Sequence, residues 1–148
     1  MTFSIGIDFG SGTTRTAFWN AEGQPETFQQ KSSAAKRKWS EPDPPENVMA
    51  GTAFLMKEIK DNAEQTVASW SKKAAFSVPA LWNSSLRKKF QQTVEAAGFH
   101  SLGVISETGA AALAYGYFKK KTGFAAVYSF GGGGEGGRRV PGLLSGAL

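Results

Sequence analysis

The apolar residues of this chain change period partway along it, and that change restricts the fold more than any other feature. Over residues 3–19 they alternate with small or polar residues, the period of strands with one covered face. From Ala53 the spacing turns helical, with Leu55, Ile59, Ala63, Val67 and Trp70 on one stripe. Beyond it, short apolar runs and amphipathic stretches take turns. Residues 3–9 and 15–19 read as strands joined by a tight bend, and residues 20–23 as a second turn leading to a third strand at 26–30. Residues 74–78, ended by Pro79, read as a buried strand. Asn83 or Ser84 caps the next helix, which carries Leu86, Phe90, Val94 and Ala97 and stops at Gly98. A strand at 102–106, an alanine-rich helix opened by Glu107 and ending on Lys119–Lys121, and a last strand at 124–130 follow.

Three leading strands suit antiparallel hairpins, and the helix–strand alternation after them suits a parallel extension covered by helices. The order therefore predicts an α/β fold, a mixed sheet of the ribonuclease-H-like type that forms the first lobe of the actin-like ATPases. Between the two patterns, residues 31–51 contain Lys36-Arg37-Lys38 and prolines at 42, 44 and 45, which predicts an exposed connector. Residues 131–148 hold eight of the chain's eighteen glycines with no period, and predict a disordered Gly/Arg-rich tail behind a lobe spanning 1–130.

Composition removes several chemistries. None of the 148 residues is cysteine and His100 is the single histidine, so thiol catalysis, disulfides, cysteine-ligated zinc and multi-histidine metal sites are excluded. A hydrophobic share of 41% fits one ordinary core. Seventeen Lys and Arg against twelve Asp and Glu leave +5, enough for weak attraction to phosphate. The basic residues are scattered without an aromatic–basic recognition motif, which argues against nucleic acid as a partner. No run reaches the length of a membrane span and no signal-peptide pattern opens the chain, so a cytoplasmic protein without membrane contact is the expectation.

Chemistry concentrates at Asp8-Phe-Gly-Ser-Gly-Thr-Thr14. Gly10 and Gly12 let backbone N–H groups turn toward an anion, Ser11 and Thr13 add hydroxyl donors, and Asp8 is placed to hold a hydrated magnesium. A plain glycine hairpin ending in an aspartate would use the same residues. The segment is not a Walker loop, since no Gly-Lys-Ser/Thr follows. Gly131-Gly-Gly-Gly-Glu-Gly136 fits the dinucleotide glycine pattern, but no amphipathic helix follows it.

Five blocks in order resemble the heat shock protein 70 family of DnaK-type chaperones. Ile5-Gly-Ile-Asp-Phe-Gly-Ser-Gly-Thr13 is similar to its first phosphate motif, and residues 55–64 to the helix before its central strand. Ala74-Ala-Phe-Ser-Val-Pro-Ala-Leu-Trp-Asn83 resembles its Val-Pro-Ala-Tyr-Phe-Asn signature. Ile105-Ser-Glu-Thr-Gly-Ala-Ala-Ala-Leu-Ala-Tyr-Gly116 follows its Asn-Glu-Pro-Thr-Ala-Ala-Ala-Leu-Ala-Tyr-Gly block. Val127-Tyr-Ser-Phe-Gly-Gly-Gly133 resembles the start of its second phosphate motif.

The resemblance implies ATP or ADP with Mg²⁺ as the ligand. It puts Asp8 beside the metal and Gly10, Ser11, Gly12 and Thr13 on the phosphates. Gly131, Gly132 and Gly133 would meet them from the other side, and Glu107 would stand near the metal and the attacking water. In the chaperones the positions matching Pro79 and Arg87 relay nucleotide state; here Pro79 also reads as a strand terminator and Arg87 as a solvated helix residue. The departures are equally specific. The connector at residues 31–51 stands where the family has a longer subdomain containing its catalytic lysine. Ser129 replaces the metal-linked aspartate of the second motif, Gly134 its threonine, and Thr108-Gly109 the Pro-Thr pair. The resulting expectation is residual nucleotide binding with little or no ATP hydrolysis. The alternative is a non-enzymatic module whose exposed lobe face binds protein partners.

Overall fold

The computed structural model describes residues 3–10, 13–30, 39, 44–67, 69–120, 122–127 and 146–147. Alternation at the N-terminus produces β1 (Phe3–Phe9), which buries Ile5, Ile7 and Phe9 on one face and turns Ser4, Gly6 and Asp8 to the other. β2 (Thr14–Trp19) and β3 (Pro25–Gln30) follow as an antiparallel meander. Asn20 builds the connecting turn, its side-chain oxygen accepting the Glu22 and Gln24 N–H groups at 3.0 and 2.9 Å.

The chain then runs through α1 (Glu46–Thr66), β4 (Trp70–Val78), α2 (Ser84–Ala96), β5 (His100–Ser106) and α3 (Glu107–Lys119). β4 pairs parallel with β1, and β5 parallel with β4, giving one sheet in the order β3-β2-β1-β4-β5. That is the mixed sheet the sequence predicts, with three parallel strands whose C-terminal ends lie side by side.

α1 and α2 cover one face. Leu55, Met56, Ile59 and Ala63 from α1 and Leu86, Phe90 and Val94 from α2 are buried against Ile5, Ile7, Phe9, Ala74, Phe76 and Val78. At the C-terminal edge of this core the packing is aromatic: Phe9 lies 4.8 Å from Phe90 and 5.9 Å from Trp82, and Trp39 stacks on Trp82 at 4.9 Å. α3 crosses the opposite face, where Tyr117 and Phe118 meet Trp19, a residue on the Asp8 side of β2.

Four expectations change. α1 begins at Glu46, seven positions before the helical spacing becomes visible at Ala53, because Pro45 serves as its N-cap and its carbonyl accepts the Val48 N–H. The connector at 31–51 is accordingly shorter, and Trp39 and Pro44 within it are buried rather than exposed. Trp70 belongs to β4, not to the preceding helix; the chain leaves α1 through Val67 and Ser69, the latter at φ +57°. The strand expected at 124–130 is described only at β6 (Phe124–Ala125), which pairs antiparallel with β7 (Gly146–Ala147) instead of joining the main sheet. Apart from β7, the tail at 131–148 lies outside the described residues.

Candidate functional site

Two neighbours fix Asp8. Ile7 and Phe9 on either side of it are locked into the core, so β-alternation alone turns Asp8 to the opposite face at the end of the strand. Parallel pairing then sets Ser77 of β4 beside it, and the Ser77 hydroxyl donates a 2.6 Å hydrogen bond to Asp8 Oδ1. Gly10 follows at once, where a Cβ would stand in tight contact, 3.0 Å from the Thr13 carbonyl oxygen and 3.9 Å from Asp8 Oδ2. Thr13 is exposed on the far side of that bend.

Glu107 arrives from the next strand but one. β5 ends at Ser106, whose side chain accepts the Gly109 N–H at 3.0 Å and so starts α3 with Glu107 as its first residue. A Cβ at position 109 would lie 3.0 Å from Ser106 Oγ, a tight contact that glycine avoids. Glu107 is half-buried, and its carboxyl is held above the usual carboxylate range, first by loss of water and second by the negative charge of Asp8. A hydrogen bond from the Ala80 backbone acts the other way and favours the ionised form. The two carboxylates therefore converge on one place, outside the C-terminal ends of β1, β4 and β5, which is where open α/β sheets bind ligands.

The loop between β4 and α2 supplies the third side. Trp82 N–H closes it on the Pro79 carbonyl at 3.1 Å, and Asn83 caps α2 by accepting the Leu86 N–H at 2.9 Å. Arg87 is not a solvated residue of that helix: its Nε donates to the Trp82 carbonyl at 2.9 Å and an Nη2 contact reaches Ala80 at 3.5 Å. These bonds hold the loop that carries the Ala80 N–H against Glu107.

Of the residues expected at the site, Asp8, Gly10, Thr13 and Glu107 are described. Ser11, Gly12, Gly131, Gly132, Gly133 and Ser129 lie outside the described residues. Sequence reasoning missed Ser77 and the Ala80 N–H. The one available signal for Ser77 was a polar residue inside the otherwise apolar run of residues 74–78. Among the described residues no three acidic or histidine side chains gather. Two converging carboxylates are nonetheless a donor set for a hard cation, and one that keeps several waters needs no more from the protein.

A family model, "Hsp70 protein", matches residues 30–135, well over half of the sequence. The chain belongs to the Hsp70 family. Solved structures agree on the fold of this Hsp70-family chain. The Ppx/GppA family member of Aquifex aeolicus is 19% identical with a TM-score of 0.56, covering 89% of this chain and 45% of its own. A type II variant of the Aquifex aeolicus Ppx/GppA phosphatase is 18% identical, with a TM-score of 0.57 over 90% of this chain and 46% of its own. The ethanolamine utilization protein EutJ of Carboxydothermus hydrogenoformans is 20% identical, with a TM-score of 0.56 over 78% of this chain and 41% of its own. The chain thus spans less than half the length of each. Its sheet is the first lobe of an actin-like ATPase fold. No helix among the described residues is long and apolar enough to cross a membrane.

Proposed function

We propose that this Hsp70-family chain binds the phosphate end of an adenine nucleotide with Mg²⁺ through the lobe formed by residues 1–130, and hydrolyses it little or not at all. The observation that carries the reading is the convergence of Asp8 and Glu107, close enough for one charge to hold back ionisation of the other. Two carboxylates side by side at the strand ends would be neutralised by a divalent cation, which would also supply positive charge for a phosphate. Asp8 and Glu107 would hold the hydrated cation, and Gly10, Ser11, Gly12 and Thr13 would offer backbone and hydroxyl donors to the phosphates. When bound, Mg²⁺ supplies charge neutralisation at the phosphate oxygens. By the family resemblance alone, Gly131, Gly132 and Gly133 would meet the same phosphates from the other side.

Weak turnover follows from what the sequence puts in place of catalytic groups. Phosphoryl transfer depends on positioning metal, water and phosphate together. Serine at 129 brings no charge to the metal where the family has a carboxylate, and residues 31–51 replace the region of the family's lysine. A chaperone-related role and a cytoplasmic location belong to the same proposal. Phosphate release from Mg-ATP by the purified chain tests it. The expected result is no turnover above background although a fluorescent ADP analogue binds; steady hydrolysis abolished by Glu107→Gln would contradict it.

A second reading rests on α3. Leu113, Tyr115, Tyr117 and Phe118 are exposed along it, next to Trp19. Such an apolar face suits a protein partner. A wild-type chain that ignores Mg-nucleotide altogether would favour this module over the nucleotide reading.

A further inference from the structure

Ser77 does nothing for the core. Its strand neighbours Phe76 and Val78 point into the packed face, while Ser77 faces the other way and is half-buried. Serine is also a poor strand former beside the β-branched and aromatic residues that usually fill such a run. What it does is hold Asp8: the 2.6 Å bond to Oδ1 has the length of a charge-assisted O–H···O⁻ bond. Among the described residues Oδ2 accepts no hydrogen bond, and it lies on the Gly10 side, 3.9 Å from where a Cβ would stand. The two carboxylate oxygens are thus divided, one tied to β4 and one turned to the bend.

We propose that Ser77 is a positioning residue for the ligand of this site. Resting on the nucleotide reading above, the inference is that Ser77 fixes the carboxylate plane of Asp8 and presents Oδ2 to the cation that bridges to phosphate. Rotation about the last torsion of an aspartate is broad and shallow, so packing alone does not choose between its oxygens. A hydroxyl donor at the paired position of the neighbouring strand does. With alanine at 77, Asp8 keeps its place on the strand but loses its orientation.

The test uses the full 148-residue chain. Mn²⁺ is titrated by electron paramagnetic resonance with and without ADP for the wild type, Ser77→Ala and Ser77→Thr, and ADP affinity is measured again in EDTA. Ser77→Ala should weaken Mn²⁺–ADP binding about tenfold, the lower end of the cost of removing a hydrogen bond to a charged group. ADP affinity in EDTA should stay at the wild-type value, and Ser77→Thr should restore the Mn²⁺ dependence. A purely structural role would instead lower the melting temperature and the EDTA affinity together, with no rescue specific to Mn²⁺. If the wild type binds Mn²⁺–ADP and Ser77→Ala binds it equally, the role of Ser77 is refuted and the nucleotide reading stands. If the wild type binds neither Mn²⁺ nor ADP, both fall.

Discussion

At Glu107 burial and the charge of Asp8 favour the protonated carboxyl, against one backbone hydrogen bond that favours the ionised form. The folded protein therefore holds this proton more tightly than the unfolded chain does. The stability gained by protonation is fully present below the usual carboxylate range and is lost as pH rises through the raised value. Glu107→Gln removes the charged form and should raise the melting temperature of the free protein at pH 7, with no gain at pH 4. The group is still half open to water, so the shift is small, about 1–2 °C. Circular dichroism melts at both pH values check this, and an equal change at both would contradict it. Gly10→Ala tests the other end of the site. Its methyl group must displace the Thr13 carbonyl, so ADP affinity should fall roughly tenfold in a binding titration while the melting temperature hardly moves. Asp8 and Gly10 were legible because their meaning is local, a bend between strands, whereas Glu107 was read as a site residue only through the family block it stands in. Ser77 and the Ala80 N–H were not, because each matters only through a partner that parallel register brings from 69 residues away in the first case and from another strand end in the second.

The long periodic elements followed directly from spacing, and the differences gather where proline and tryptophan carry two meanings. Pro44 and Pro45 read as breakers, yet a proline at a helix start needs no N–H partner and presets the dihedral, so α1 begins there. Trp39 stood between charges and prolines with no period to mark it. It is buried because its ring stacks on Trp82 and its indole N–H donates to Thr52 Oγ1 at 2.8 Å. That bond ties Trp39 to α1, and its ring stack ties it to Trp82 in the loop that faces Glu107. Trp39→Phe keeps a ring but deletes the donor and part of the stack. It should cost about 1–2 kcal/mol in urea unfolding. An unchanged midpoint would mean that this segment is held by something other than its tryptophan.

For the molecule as a whole, the sheet order and the aromatic edge have one consequence: they bring the ends of three parallel strands together behind a rigid wall. Phe9, Phe90 and Trp82 immobilise the backbone that carries Asp8, while Ser106 and Gly109 set where Glu107 starts its helix. One face of the sheet is closed by α1 and α2; the other carries α3 with its exposed aromatic residues, and Asp8 and Glu107 stand at the strand ends. Fold and family were legible because the alternation of elements and the five motif blocks run through the whole lobe. The meeting of the two carboxylates was implied by the family resemblance alone, since no spacing relates residue 8 to residue 107. Isothermal titration calorimetry of Mg-ADP into the wild type and Asp8→Ala tests that meeting most directly. Saturable heat in the wild type that disappears in Asp8→Ala, with the variant still folded by circular dichroism, is the predicted result; heat that survives the substitution, or a silent wild type, would contradict it.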